Sequence, residues 1–255
     1  MTEPRPAALV QSVDRALTVL EILASRGVAG VTEIAGELGV HKSTASRLVA
    51  VLESRGFVEQ LADRGKYRLG FGVVRLAGAL TVQRDLAHES RRACEALAAD
   101  VGETVNVAIL DGDRAINISE VRGPASIASH NWVGQSTPLH ATSSGKVLLA
   151  LAPTQPLTDP LPRYTDSTLV DVAALERELD LVRERGWAST VEEYEVGLNA
   201  LAAPVHDHEG AVVAAVSVSG PSYRLSPEVF ATVVPRLLRA TGEIGRRLGH
   251  LPRPA

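Results

Sequence analysis

Residues 31–55 read VTEIAGELGVHKSTASRLVAVLESR, two short helical patterns broken at Gly39-Val40. In the second, Ala45, Leu48, Val49 and Leu52 recur at the spacing of one buried helix face. Ser43, Ser46 and Arg47 fall on the opposite side, with Lys42 at the entry and Thr44 beside them. Gly39 stands where a residue free to take positive φ lets the chain turn sharply. A tight two-helix turn whose second helix leads with small polar and basic side chains suits a DNA major groove. Helical hairpins of this kind also occur in bundles that never touch nucleic acid, so the pattern alone does not decide.

The residues that follow do. FVEQ (57–60), the turn-like LADRGK (61–66) and YRLG (67–70) predict two short strands around a basic loop. Phe57, Tyr67 and Leu69 would pack this hairpin onto the helices and leave Arg64 and Lys66 to meet phosphate. The expectation is a winged helix-turn-helix domain over residues 10–70. Upstream, the Pro-rich residues 1–10 read as a loose arm. Ser12 is placed to cap a helix through about Ala24, and Thr32 to cap the next.

Charge divides the chain. Residues 1–80 hold 10 Lys+Arg against 8 Asp+Glu, whereas residues 85–255 hold 15 against 22. A mildly basic head on an acidic body fits a DNA reader followed by a domain that leaves DNA alone. Cys94 is the single cysteine, which excludes an intrachain disulfide and cysteine metal clusters, and its apolar helical setting predicts a packed thiol. MTEPRPAALVQ has no apolar run of signal-peptide length, and no stretch approaches the ~20 residues of a membrane span. A cytoplasmic protein without membrane association is expected.

From Phe71 to about Arg84 the pattern is helical, with Val73, Val74, Leu76, Ala77 and Leu80 apolar. Water would meet that face on a solitary linker, so a partner subunit is expected there, over a linker of residues 71–84. A second helix is predicted over about Asp85–Ala99, opening a domain of residues 85–250. TVNVAIL, RAINISEV and ASIASHN read as strands. TPLHATSSGKVLLAL begins as a loop and turns helical near Ser143, and DVAALERELDLVRERG is an amphipathic helix closed by Gly186. Residues from Trp187 predict a loop and then two strands turning at Glu209-Gly210, before a final helix with a Ser226-Pro227 start. The class is α+β: an antiparallel sheet with helices around it.

Across residues 10–249 the chain resembles the IclR-type bacterial transcriptional regulators. The matching pieces are SVDRALTVLEIL, HKSTASRLVAVLESRGFV, YRLG, PLHATSSGKVLLA and NALAAPVHDHEGAVVAAVSVSGP, in that order. The resemblance implies a winged helix-turn-helix head, a dimerising linker helix and a GAF-like effector-binding domain. It also implies a homodimer or homotetramer on a palindromic double-stranded DNA operator, answering to a small-molecule effector, often an organic acid. A repressor without catalytic activity or cofactor is expected. Carried over residue by residue, the effector pocket falls on Ser143, Ser144 and Gly145, on Glu193, Tyr194 and Glu195, on Pro204, and on Ser217 and Ser219. The i, i+2 spacing of the last pair puts both hydroxyls on one sheet face. Backbone N–H groups at the helix start near Ser143 would favour a small anion.

Two alternatives share these residues. Ser143 and Lys146 form S-x-x-K, the nucleophile motif of penicillin-binding acyl hydrolases, but the partner signatures S-D-N and K-T-G are absent. His206 and His208 would share a strand face and suggest a metal-responsive regulator, although their place beside Glu209-Gly210, with no other His or Cys near in sequence, favours a solvated hairpin turn.

Overall fold

A computed structural model describes residues 10–61, 65–77, 81–125, 132–152, 157 and 160–250. The chain packs as two compact units, residues 1–81 and 82–255.

In the first unit, α1 (Gln11–Arg26), α2 (Val31–Leu38) and α3 (Lys42–Ser54) enclose a core of Val19, Leu23, Ile34, Ala45 and Val49. The α2–α3 turn runs through Gly39 at φ 62, a left-handed conformation that costs glycine least. The first strand, β1 (Ala29–Gly30), pairs with β3 (Lys66–Leu69), which pairs in turn with β2 (Val58–Gln60). Phe57, Tyr67 and Leu69 pack against the helical core as expected of a wing. Helix starts differ from expectation. Val10, not Ser12, precedes α1, and Gly30 rather than Thr32 precedes α2. There the Gly30 N–H donates to Glu33 Oε2 at 2.6 Å, so an acidic side chain reaching back replaces the hydroxyl cap.

The expected linker is helical on both sides of residues 78–80, which lie outside the described residues. Its first part forms α4 (Phe71–Ala77), tied down by the Gly72 N–H donating to the Gly56 carbonyl at 2.7 Å. The long α5 (Thr81–Val101) includes residues 81–84 together with the helix expected from Asp85.

The second unit is built on six antiparallel strands in the order β6-β5-β4-β9-β8-β7. These are β4 (Thr104–Asp111), β5 (Arg114–Val121), β6 (Ser136–Pro138), β7 (Ala188–Val191), β8 (Leu198–His206) and β9 (Val212–Pro221). The short β6 and β7 lie in segments whose sequence predicts loop. The expected strand ASIASHN falls mostly on residues 126–131, outside the described residues. Helices α6 (Ser143–Leu151), α7 (Val172–Arg185) and α8 (Pro227–Arg247) complete the unit.

Both sheet faces are covered, so the central strands read almost continuously apolar. One face carries α5 and α8, where Cys94, Leu97, Phe230, Leu237 and Ile244 meet Val105, Leu201, Val216 and Val218. The other carries α6 and α7, where Val147, Leu148, Leu175 and Leu179 meet Ala108, Ala202 and Ala215. That second face is paved with small side chains, and it opens into a cavity toward one end of the strands.

Candidate functional site

In the first unit the α3 face opposite Ala45, Val49 and Leu52 presents Lys42, Ser43, Ser46 and Arg47 to solvent, with Thr44 half-buried beside them. Lys66 is exposed at the start of β3, where its carbonyl accepts from the Leu61 N–H, so it sits at the loop end of the wing hairpin. Arg64 lies outside the described residues.

In the second unit register builds the cavity. Across the sheet, Thr190 (β7) stands opposite Ala200 (β8), Ala200 opposite Ser219 (β9), and Ser219 opposite Thr104 (β4). The next row in the same direction is Ala188, Ala202, Ser217 and Asn106. Alanines in these rows leave room above the sheet, and the polar side chains border it. The cavity is lined by Asn106, Asn117, Thr137, Thr142, Thr190, Ser217 and Ser219, with Trp132, Tyr194, Leu198 and Ala200. Its volume is about 60 Å³. Asn106 is 4% exposed, and its Oδ1 has no hydrogen-bond partner. Trp132 and Tyr194 flank the space with centroids 6.2 Å apart, and Tyr164 packs on Tyr194 at 5.1 Å.

The loop between β7 and β8 is held from several sides. Lys146 Nζ donates to Glu193 Oε1 at 2.7 Å and to the Ser189 carbonyl at 3.3 Å. Thr165 Oγ1 donates to the Glu192 carbonyl and Thr168 Oγ1 to the Glu193 carbonyl, each at 2.6 Å. Asn199 Oδ1 accepts from the Glu192 N–H at 3.1 Å. Burial pushes the Glu193 carboxyl above its ordinary value, against the pull of Lys146. Burial raises the Tyr194 phenol as well, with Tyr164 adding to it. Tyr194, the residue after the clamped carboxylate, is therefore fixed over the cavity.

Of the residues expected here, Tyr194, Ser217 and Ser219 line the cavity. Ser143 and Ser144 are buried in the first turn of α6 but do not line it; Thr142 does, and its Oγ1 accepts from the Gly145 N–H at 3.2 Å. Gly145 serves close packing: a Cβ there would come within 2.3 Å of the Leu139 carbonyl oxygen. Glu193 points to Lys146, and Glu195 is exposed in the turn that closes on Leu198. Pro204 is displaced from the cavity. It pairs with Ala215 further along β8, bordering a separate groove with Gly186 and α8, and Ala200 takes the floor position. Asn106, Asn117, Trp132, Thr137, Thr142 and Thr190 were not expected. A polar residue inside the apolar runs TVNVAIL and RAINISEV is the signal that points to the two asparagines.

The alternative chemistries lose their geometry. Lys146, the base that an S-x-x-K enzyme needs, is 1% exposed and engaged by Glu193. His206 stacks on His250 at 5.1 Å while His208 stays exposed in the turn, and no group of three or more metal-ligating side chains occurs among the described residues. His140 bonds the Pro162 carbonyl through Nε2 at 2.8 Å.

Comparison with known proteins agrees. Residues 12–62 match the IclR helix-turn-helix domain and residues 78–246 the bacterial transcriptional regulator IclR C-terminal domain. The chain belongs to the IclR family of bacterial transcriptional regulators. It is 34% identical to the HTH-type transcriptional repressor AllR of Klebsiella pneumoniae over 98% of this chain and 94% of that one. Identity to AllR of Escherichia coli K12 is 33%, over 99% and 95%. Among solved structures, an IclR homolog from Microbacterium hydrocarbonoxydans complexed with 4-hydroxybenzoate superposes with TM-score 0.79 at 27% identity, covering 94% of this chain and 99% of that one. The Thermotoga maritima IclR gives 0.74 at 29%, covering 94% and 99%. Membership in the IclR family makes this chain a DNA-binding transcriptional regulator, not an enzyme. No helix among the described residues is long and apolar enough to cross a membrane.

Proposed function

We propose that this IclR-family chain is a cytoplasmic repressor that binds a palindromic operator through paired winged heads and responds to a small polar metabolite held in the second unit. The carrying observation is the cavity over Ala200, Ser217 and Ser219, whose buried Asn106 acceptor has no protein partner. A regulator needs a ligand site apart from its DNA reader, and this one lies on the acidic unit. Relatives named as repressors support the sign of regulation, and a neighbour complexed with 4-hydroxybenzoate supports a small-molecule ligand. Lys42, Ser43, Thr44, Ser46 and Arg47 are assigned to the major groove, with Arg64 and Lys66 on adjacent phosphates.

Exposed apolar side chains on α4 support pairing of the heads as a dimer or tetramer: Phe71 is 70% exposed, Val74 55% and Leu76 63%. The test is selection from a random pool of double-stranded DNA followed by footprinting. Enriched sites should be two-fold symmetric with half-sites spaced by whole helical turns. Failure to enrich any sequence over bulk DNA at moderate salt would refute a specific operator.

A further inference from the structure

The regulatory role proposed above leaves the ligand's chemistry open, and the cavity constrains it. Its lining supplies hydroxyls, two carboxamides and two large aromatic rings, and none of the described residues lining it carries a formal charge. Two cations lie nearby without lining it. Lys146 is held by Glu193 and the Ser189 carbonyl, and Arg114 donates to Ser136 Oγ and to the Ser136 carbonyl. At the start of α6, the Gly145 N–H is already taken by Thr142. A carboxylate entering here would give up water for neutral dipoles, with no cation among the described lining residues to meet it, which is a costly exchange.

Asn106 makes the opposite demand. Its side chain borders the cavity, it is 4% exposed, and its Oδ1 is buried without a donor. Its cross-strand neighbour Ser217 borders the same space without bonding that oxygen. A buried carbonyl oxygen stripped of water and left unbonded is rare in native proteins and calls for an N–H or O–H to complete it. The rings of Trp132 and Tyr194, inclined at 58° to each other, add two apolar faces.

We propose that the cavity takes a small uncharged molecule that donates an N–H or O–H to Asn106 Oδ1 and lays a flat apolar part against Trp132 and Tyr194. This assignment differs from the organic acid that the family resemblance implies, and matched probes separate the two. Benzamide and 4-hydroxybenzamide, measured by calorimetry and thermal shift on the full chain, should bind at least about tenfold tighter than benzoate and 4-hydroxybenzoate. In Asn106→Leu the amides should lose about tenfold or more, while the melting temperature of the free protein should not fall, because the unbonded acceptor is gone. Asn106→Thr keeps an oxygen acceptor on a side chain suited to a strand and should retain most of the amide affinity. Acids binding as tightly as their amides would overturn the assignment. So would amide affinity unchanged in Asn106→Leu, or the absence of any shift by the amides at millimolar concentration. The ratio on the parent protein stands even if a variant fails to fold. Operator binding is scored separately. Amide binding with no effect on DNA would remove the regulatory role and keep the ligand class, whereas operator release by the acids alone would do the reverse.

Discussion

Lys146 and Glu193, 47 residues apart, meet at 2.7 Å, with the lysine side chain 2% exposed and the glutamate 12%. The pair ties α6 to the loop that carries Tyr194. Glu193 Oε2, however, is buried without a partner, so the carboxylate is only half satisfied. A buried pair of this kind is costly to break and adds little net stability beyond an apolar replacement.

Lys146→Met should therefore destabilise the second unit by ~3–5 kcal/mol at neutral pH, because it strands a buried carboxylate. The double change Lys146→Met, Glu193→Leu should recover most of that loss. The pH dependence has a definite sign. Burial raises the Glu193 carboxyl in the folded state, so the folded protein favours its protonated form. In Lys146→Met the deficit should be largest above the raised folded value and shrink as pH falls through it toward the ordinary glutamate range. Denaturant melts across that interval check this, and a deficit that grows toward acid would contradict the assignment.

Arg47 lies exposed on α3, away from the Ala45, Val49 and Leu52 face. Arg47→Ala should leave the melting temperature unchanged and weaken specific DNA binding by about 1–3 kcal/mol if the contact is to a base. Equal operator affinity at matched salt would place the reading face elsewhere.

The exposed α4 face offers a test of assembly. Val74→Glu with Leu76→Glu adds charge where side chains already face solvent, so the first unit should keep its fold. Association of the heads and operator affinity should both drop, as read by sedimentation and footprinting. Parent-like values in both would rule out α4 as the interface; Leu80, expected beside it, lies outside the described residues.

Cys94 is fully buried between α5 and the sheet, and burial pushes its thiol up to about 12. At about pH 8 it is overwhelmingly protonated and inert, so alkylation should track unfolding of the second unit rather than local exposure. Rapid labelling of the native protein would show that α5 opens independently of the rest.

Much of this protein is local in origin. The 3.6-residue period of α3 decides which side faces the core and which side shows Lys42, Ser46 and Arg47. Gly39 sets the turn between two helices because its left-handed backbone conformation costs glycine least. The two-residue period of β9 puts Ser217 and Ser219 on one face whatever surrounds them.

What that face meets is not local. Ala200 rather than Pro204 lies under the cavity because the β8–β9 register pairs Ala200 with Ser219, and register follows from pairing across the sheet. Strands β6 and β7, three and four residues long, are too short to show a period and form only against β5 and β8. Asn106 becomes a site residue because β9 lies beside β4, and Glu193 becomes a clamp because α6 packs over β7. The chain's local periodicities set each side chain's direction; only tertiary packing, which brings distant strands and helices together around buried polar groups, decided which of them share a cavity.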